Sequence, residues 1–153
     1  MGGRERVGWD DPRNAGVLAY LAWLERLPAY VASAAPASVD SYQLGAHPDW
    51  VEVLWQWLDA KLPTRCAWVV HGRAALVRRS SGIVFGLALG TLGVALRVPS
   101  ARHAELGIGP DQRSHRHQNG QVFSLDTLGP ECALAPFGAA GEKLALAAFE
   151  GAS

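Results

Sequence analysis

His115-Arg116-His117 is the densest group of chemically capable side chains in the sequence. On an extended strand, residues two apart share a face, so His115 and His117 could present two imidazoles to one metal ion. His103 and Asp111 could add ligands. Neither HExxH nor CxxC accompanies them, and Pro110, Asn119 and Gly120 are the residues of a solvated loop. The same stretch is basic. Arg97, Arg102, Arg113 and Arg116 stand with the three histidines against Glu105 and Asp111, a composition able to hold a phosphate, an acidic partner or RNA. Arg97 is the strongest single residue. It falls on the small-residue face of a predicted strand, where a charge must find a partner. That partner is a ligand carboxylate or an internal salt bridge.

Other candidates are sparser. Cys66 and Cys132 are isolated. A nucleophilic thiol needs a nearby base, and only His47 and His71 are near Cys66 in sequence; buried free thiols are the simpler reading. Ser80-Ser81-Gly82 is not a GxSxG elbow, and Gly82, Gly86 and Gly90 do not precede a helix, so no phosphate loop is indicated. All six Trp lie before residue 70. Trp55 falls on a predicted core stripe, while Trp50 and Trp57 flank it, and one of these two is a candidate surface anchor.

The elements that must position these residues can be read from periodicity and breakers. Residues 1–10 read as a mobile lead-in to a single domain, 11–150. Asp11-Pro12 opens a helix carrying Val17, Leu18, Leu21, Leu24 and Leu27 at helical spacing, and Pro28 ends it. A short helical piece to Ala34 and a short strand at Ser41–Leu44 follow. His47-Pro48-Asp49 opens a second helix with Val51, Leu54, Trp55 and Leu58 as its stripe; Lys61 suits its last turn and Pro63 stops it. From Ala67 the period becomes two. Ala67–His71 and Ala74–Arg78 form a first hairpin, Arg79–Gly82 a turn, and residues 83–98 a second hairpin turning at Gly90-Thr91. Strict alternation puts Ile83, Phe85, Leu87, Leu89, Val94 and Leu96 on one large face and Val84, Gly86, Ala88, Gly93 and Ala95 on a small one. Ala101–Leu106 reads as a short helix, 107–120 as a loop, Gln121–Leu125 as a fifth strand and Leu128-Gly129-Pro130 as a turn. A helix at about Glu142–Glu150 closes the chain.

The expectation is an α+β fold: an antiparallel meander of about five strands, two N-terminal helices and one C-terminal helix. The large face could be covered by the Trp-rich helices, by sheet curvature or by a second subunit, so a homodimer is one expectation.

Composition narrows the function classes. The chain has 153 residues, 49% of them apolar and 18% charged, which excludes disorder and fits one domain. Fourteen basic residues balance 14 acidic ones, which sets a general nucleic-acid binder aside. Two cysteines make no disulfide scaffold. Ser80–Leu96 carries no charge, but it is shorter than the ~20 residues of a span and alternates with period two, so no membrane segment is expected. Met1–Arg6 has charge without an apolar stretch behind it, so no export signal is expected and the location is cytoplasmic.

Leu44-Gly45-x-His47-Pro48, Gly82-Ile83-Val84-Phe85, Gly90-Thr91, Ala95-Leu96-Arg97-Val98-Pro99 and Leu128-Gly129-Pro130-Glu131 together resemble a group of small bacterial proteins with no assigned activity. The resemblance spans most of residues 40–150 and implies a soluble α+β domain. In that group a His often follows the Gly-Thr turn and a Trp the Leu-Gly-Pro-acid step; Leu92 and Cys132 stand there in this chain.

The expected function is a non-enzymatic protein of the bacterial cytoplasm that binds another protein, of accessory, adaptor or immunity type. It requires no cofactor. The alternative is a small-ligand or metal-binding protein, or an enzyme, using the Arg97/His115/His117 region. Arg113, Arg116, Trp50 and Trp57 complete the candidate binding residues.

Overall fold

The computed structural model describes residues 7–25, 34–36, 48–70, 73–89, 93–109, 112–116, 122–136 and 138–153. The fold is α+β, an antiparallel sheet with helices on both faces. The strands are β1 (Ala34–Pro36), β2 (Ala67–Val70), β3 (Arg73–Arg78), β4 (Ile83–Leu89), β5 (Gly93–Arg97), β6 (Ser114–Arg116), β7 (Val122–Ser124) and β8 (Cys132–Leu134). Six make one sheet in the order β1-β2-β3-β4-β5-β8, and β6 and β7 form a separate antiparallel pair.

The meander from β2 to β5 follows the sequence reading, but both flanks differ from it. The strand beside β5 is β8, with Arg97 opposite Cys132, and not Gln121–Leu125. Val122–Ser124 pairs instead with Ser114–Arg116, so the expected loop at 107–120 contains a strand. Ala34–Pro36 is an edge strand on β2 rather than the end of a helix; an edge is where a strand tolerates proline, which has no N–H to donate. Ser41–Leu44 and the Gly90-Thr91 turn lie outside the described residues.

A bulge also divides the expected large face. Leu76 pairs with Gly86 but Val77 with Val84, leaving Phe85 as the extra residue. Ile83 and Phe85 therefore pack on one side of the sheet with Leu76, while Leu87 and Leu89 pack on the other with Ala75. Gly86 makes this possible: a Cβ there would stand 3.0 Å from the Leu76 side chain. Across β4 and β5, Leu87 faces Ala95 and Leu89 faces Gly93, so large residues sit opposite small ones.

Each face has its own cover. On the first lies a continuous helical segment: α2 (Pro48–Glu52), a π-helical turn (Val53–Leu58) and a 3-10 turn (Asp59–Lys61). Its stripe Val51, Leu54 and Leu58 is buried with Phe85, Leu96 and residues of α3 (Ala139–Glu150). On the second face lies α1 (Ala15–Glu25), preceded by a 3-10 turn at Pro12–Asn14 that Asp11 caps by accepting from the Arg13 amide at 2.9 Å. Val17 and Leu21 pack there with Val7, Leu125 and Leu128. The last residues of the expected lead-in thus join the core. Asn14, fully buried, donates to the carbonyls of Gly8 and Gly82 and accepts from the Val84 amide, tying residue 8 and α1 to the start of β4.

The cover explains how the chain satisfies its own sheet, the problem for which the sequence offered a second subunit as one answer. Among the described residues no helix is long and apolar enough to cross a membrane.

Candidate functional site

The structure separates the candidate residues onto opposite faces of the sheet. Along β5, Val94 and Leu96 point toward the π-helical side and Ala95 toward α1. Alternation puts Arg97 on the α1 side. Trp50 and Trp57 belong to the other side.

Arg97 is a nearly buried cation, its side chain 11% exposed. Its Nη2 donates to Glu131 Oε1 at 2.5 Å, and the second Glu131 oxygen accepts from the Ser100 amide. The internal salt bridge foreseen for Arg97 is therefore present, yet its buried Nη1 has no acceptor among the described residues. Arg113 comes to the same corner. Its Nη1 donates to the carbonyls of Gly129 and Cys132, holding the turn that leads into β8. Arg102 bonds to Glu105 and Glu150. Three arginines of the basic stretch are thus engaged within the chain. The side chains of His115 and Arg116, and all of His117 and Asp111, lie outside the described residues. His103 Nε2 lies 2.8 Å from the Val98 carbonyl. Among the described residues no three His, Cys, Asp or Glu side chains converge as a metal site would require.

The thiols are held protonated. Burial pushes Cys66 up to about 11, and burial likewise pushes Cys132 up to about 11. His47 and His71 lie outside the described residues. Asp59, beside Cys66, is 3% exposed and accepts from the Cys66 amide at 2.6 Å; burial raises its pKa above the ordinary carboxylate value. It organises the turn after the helix.

The tryptophans sort as their places on the helix dictate. Trp55 is half-buried, and its indole Nε1 donates to the Ala75 carbonyl at 3.0 Å. Trp50 is half-buried against the core. Trp57 is 63% exposed. The π-helical turn explains this exposure. The Asp59 amide bonds to the Leu54 carbonyl, five residues back. A turn holding more residues advances by a smaller angle at each one. In an α-helix Trp57 would stand only about 60° from Leu54; in the wider turn it swings farther from Leu54. π-turns of this kind recur at functional sites.

Trp57 stands at a hollow of about 380 Å³ lined by Val53, Leu58, Pro136, Gly138 and Glu142. Apart from Glu142, whose carboxylate lies 3.9 Å from Lys61 Nζ, the lining side chains are apolar. Gly141 draws the start of α3 close to residue 136: a Cβ there would lie 2.1 Å from the Pro136 carbonyl oxygen. The sequence pointed to one of Trp50 and Trp57, without choosing between them, and not to the residues that stand beside Trp57. Pro136 and Gly138 are distant in sequence and carry no periodic signal. A second hollow, of about 300 Å³, lies at Arg97 and is lined also by Pro12, Arg13, Gly16, Leu128, Gly129, Pro130, Glu131 and Cys132.

No protein-family model, no curated protein and no solved structure matches this chain.

Proposed function

We propose that the chain is a non-enzymatic protein-interaction module that docks another protein through Trp57 and the hollow beside it. The observation that carries this reading is one tryptophan, 63% exposed, at the rim of an apolar hollow of about 380 Å³. Exposed tryptophans next to apolar pockets are the residues that dominate binding energy in protein interfaces. The engagement of Arg97, Arg102 and Arg113 within the chain supports a protein partner over a nucleic acid. The two free, buried cysteines support a reducing compartment, the bacterial cytoplasm.

The test begins with capture of a partner from the native host, followed by reconstitution from purified components. Wild type should form a complex of fixed stoichiometry. Trp57→Ala should weaken it at least about 10-fold while leaving the melting temperature in place. A complex untouched by Trp57→Ala overturns the assignment. So does a homodimer that Trp57→Glu dissolves, because the hollow is then the contact between two copies.

A further inference from the structure

We infer that the side chain a partner protein inserts beside Trp57 is an arginine, held between the indole ring and the Glu142 carboxylate. The inference rests on the docking reading above and names what enters the hollow.

The first argument is the chemistry of the lining. Val53, Trp57, Leu58 and Pro136 supply apolar wall, and among the described residues Glu142 is the one charged side chain in it. A wholly apolar anchor would cover that carboxylate and leave it unpaired, and an acidic anchor would be repelled by it. A hydrocarbon stem with a cationic head suits both parts of the lining. Glu142 has the capacity to accept such a head. Its carboxylate stands 3.9 Å from Lys61 Nζ, beyond hydrogen-bond reach, and accepts no hydrogen bond among the described residues. The two side chains are 62% and 37% exposed, a solvated pair that holds its members loosely.

The second argument is the ring. A guanidinium is attracted to the face of an indole within about 6 Å of its centroid. The chain makes this kind of pair twice within itself. Arg78 lies 4.1 Å from the Phe149 ring centroid and Arg79 lies 4.4 Å from that of Trp68. Trp57, 63% exposed, carries no cation among the described residues. Arginine suits the place better than lysine. Its planar head can stack on the ring and fork to a carboxylate together, and it is more weakly hydrated. Charge around the hollow agrees: on the two helical elements that flank it, the exposed Asp49 and Glu52 together with Glu142 outnumber Lys61 and Lys143. Such a field favours the approach of a basic segment. The volume of about 380 Å³ lies near the lower end of the usual range of about 300–1,000 Å³ for small-molecule sites, which suits one long side chain.

The experiment is a chemical-shift titration of the full chain with N-acetyl-arginine methylamide. The controls are the citrulline analogue, which has the same shape without the charge, and the lysine and leucine analogues. The arginine compound should shift the Trp57 indole N–H and the amides of Gly138 and Glu142 saturably, in the ~mM range. Citrulline and leucine should bind at least about 5-fold more weakly, and lysine at least about 2-fold. Glu142→Gln should bring arginine down to the affinity of citrulline, and Trp57→Ala should remove the saturable shifts. In wild type, added salt should weaken arginine and leave citrulline unchanged. Absence of saturable shifts with arginine overturns the inference, as does equal or tighter binding of any control. An arginine preference that survives Glu142→Gln, or that ignores salt, overturns it as well. The docking reading is tested separately by Trp57→Ala in the complex. A Trp57-dependent complex without an arginine preference in the titration would leave the surface standing and remove its assigned anchor.

Discussion

Three side chains show what single residues do in this molecule. Asn14 satisfies two carbonyls and one amide at the junction of the N-terminal segment, α1 and β4. Its replacement takes the acceptor from the buried Val84 amide, while the Gly8 and Gly82 carbonyls keep the amides of Asp11 and Gly8. Asn14→Ala should therefore cost about 1–3 kcal/mol in denaturant unfolding, and a loss below about 0.5 kcal/mol would contradict this role. Cys66 and Cys132, buried and raised to about 11, should react with a disulfide reagent at neutral pH only as fast as the protein opens. Rapid reaction of the folded protein would be the contrary result. Asp59 gives a pH dependence whose sign is fixed. Its folded pKa lies above the unfolded one. The folded state therefore holds the proton more tightly, and this contribution to stability is lost as pH rises from about 4 through the raised value. Melting curves should show Asp59→Asn gaining on wild type over that rise; the opposite slope would refute the assignment. That Trp50 or Trp57 would be exposed, though not which of them, and that Arg97 would need a partner were legible in the sequence, from a helical flank and from a charge on a small-residue face. Glu131 was not legible as the partner of Arg97, because the pair forms only when β8 joins β5.

At the scale of elements, the start and end of the helix over 48–61 could be read from Pro48, Asp49, Lys61 and Pro63. Its π-helical turn could not, since the polarity pattern reports which residues face the core and not which carbonyl each amide chooses. The bulge in β4 was hidden similarly. Ile83, Phe85, Leu87 and Leu89 alternate cleanly, and only Gly86 marks where the face changes. β8 has three residues, too few to show a period. α1 depends on a close approach instead. A Cβ at Gly16 would lie 2.2 Å from the Leu128 carbonyl oxygen. Gly16→Ala should cost about 1–3 kcal/mol despite the better helix propensity of alanine. A neutral or stabilising result in thermal unfolding would show that α1 does not depend on this contact. The far end of α3 is held by Arg78, which donates to the Phe149 carbonyl at 2.8 Å and lies over the Phe149 ring at 4.1 Å. A cation there also suits the negative end of the helix dipole.

Over the whole molecule, one antiparallel sheet is covered on both faces by the chain's own helices. Its central strands β3, β4 and β5 are almost wholly buried, whereas β1 lies at an edge and, among the described residues, β6 and β7 pair only with each other. Amide exchange should be slowest in β3–β5 and fastest in β1 and β6–β7; uniform protection would contradict this layering. With the sheet covered, Trp57 at its hollow is the most exposed large aromatic side chain among the described residues, and the central claim is that a partner protein docks there. The most direct measurement is hydrogen–deuterium exchange of the wild-type chain, alone and in its reconstituted complex. The account predicts new protection over 53–58 and 136–142, lost together with binding in Trp57→Ala. Protection confined to other segments, with 53–58 and 136–142 unchanged, would contradict it.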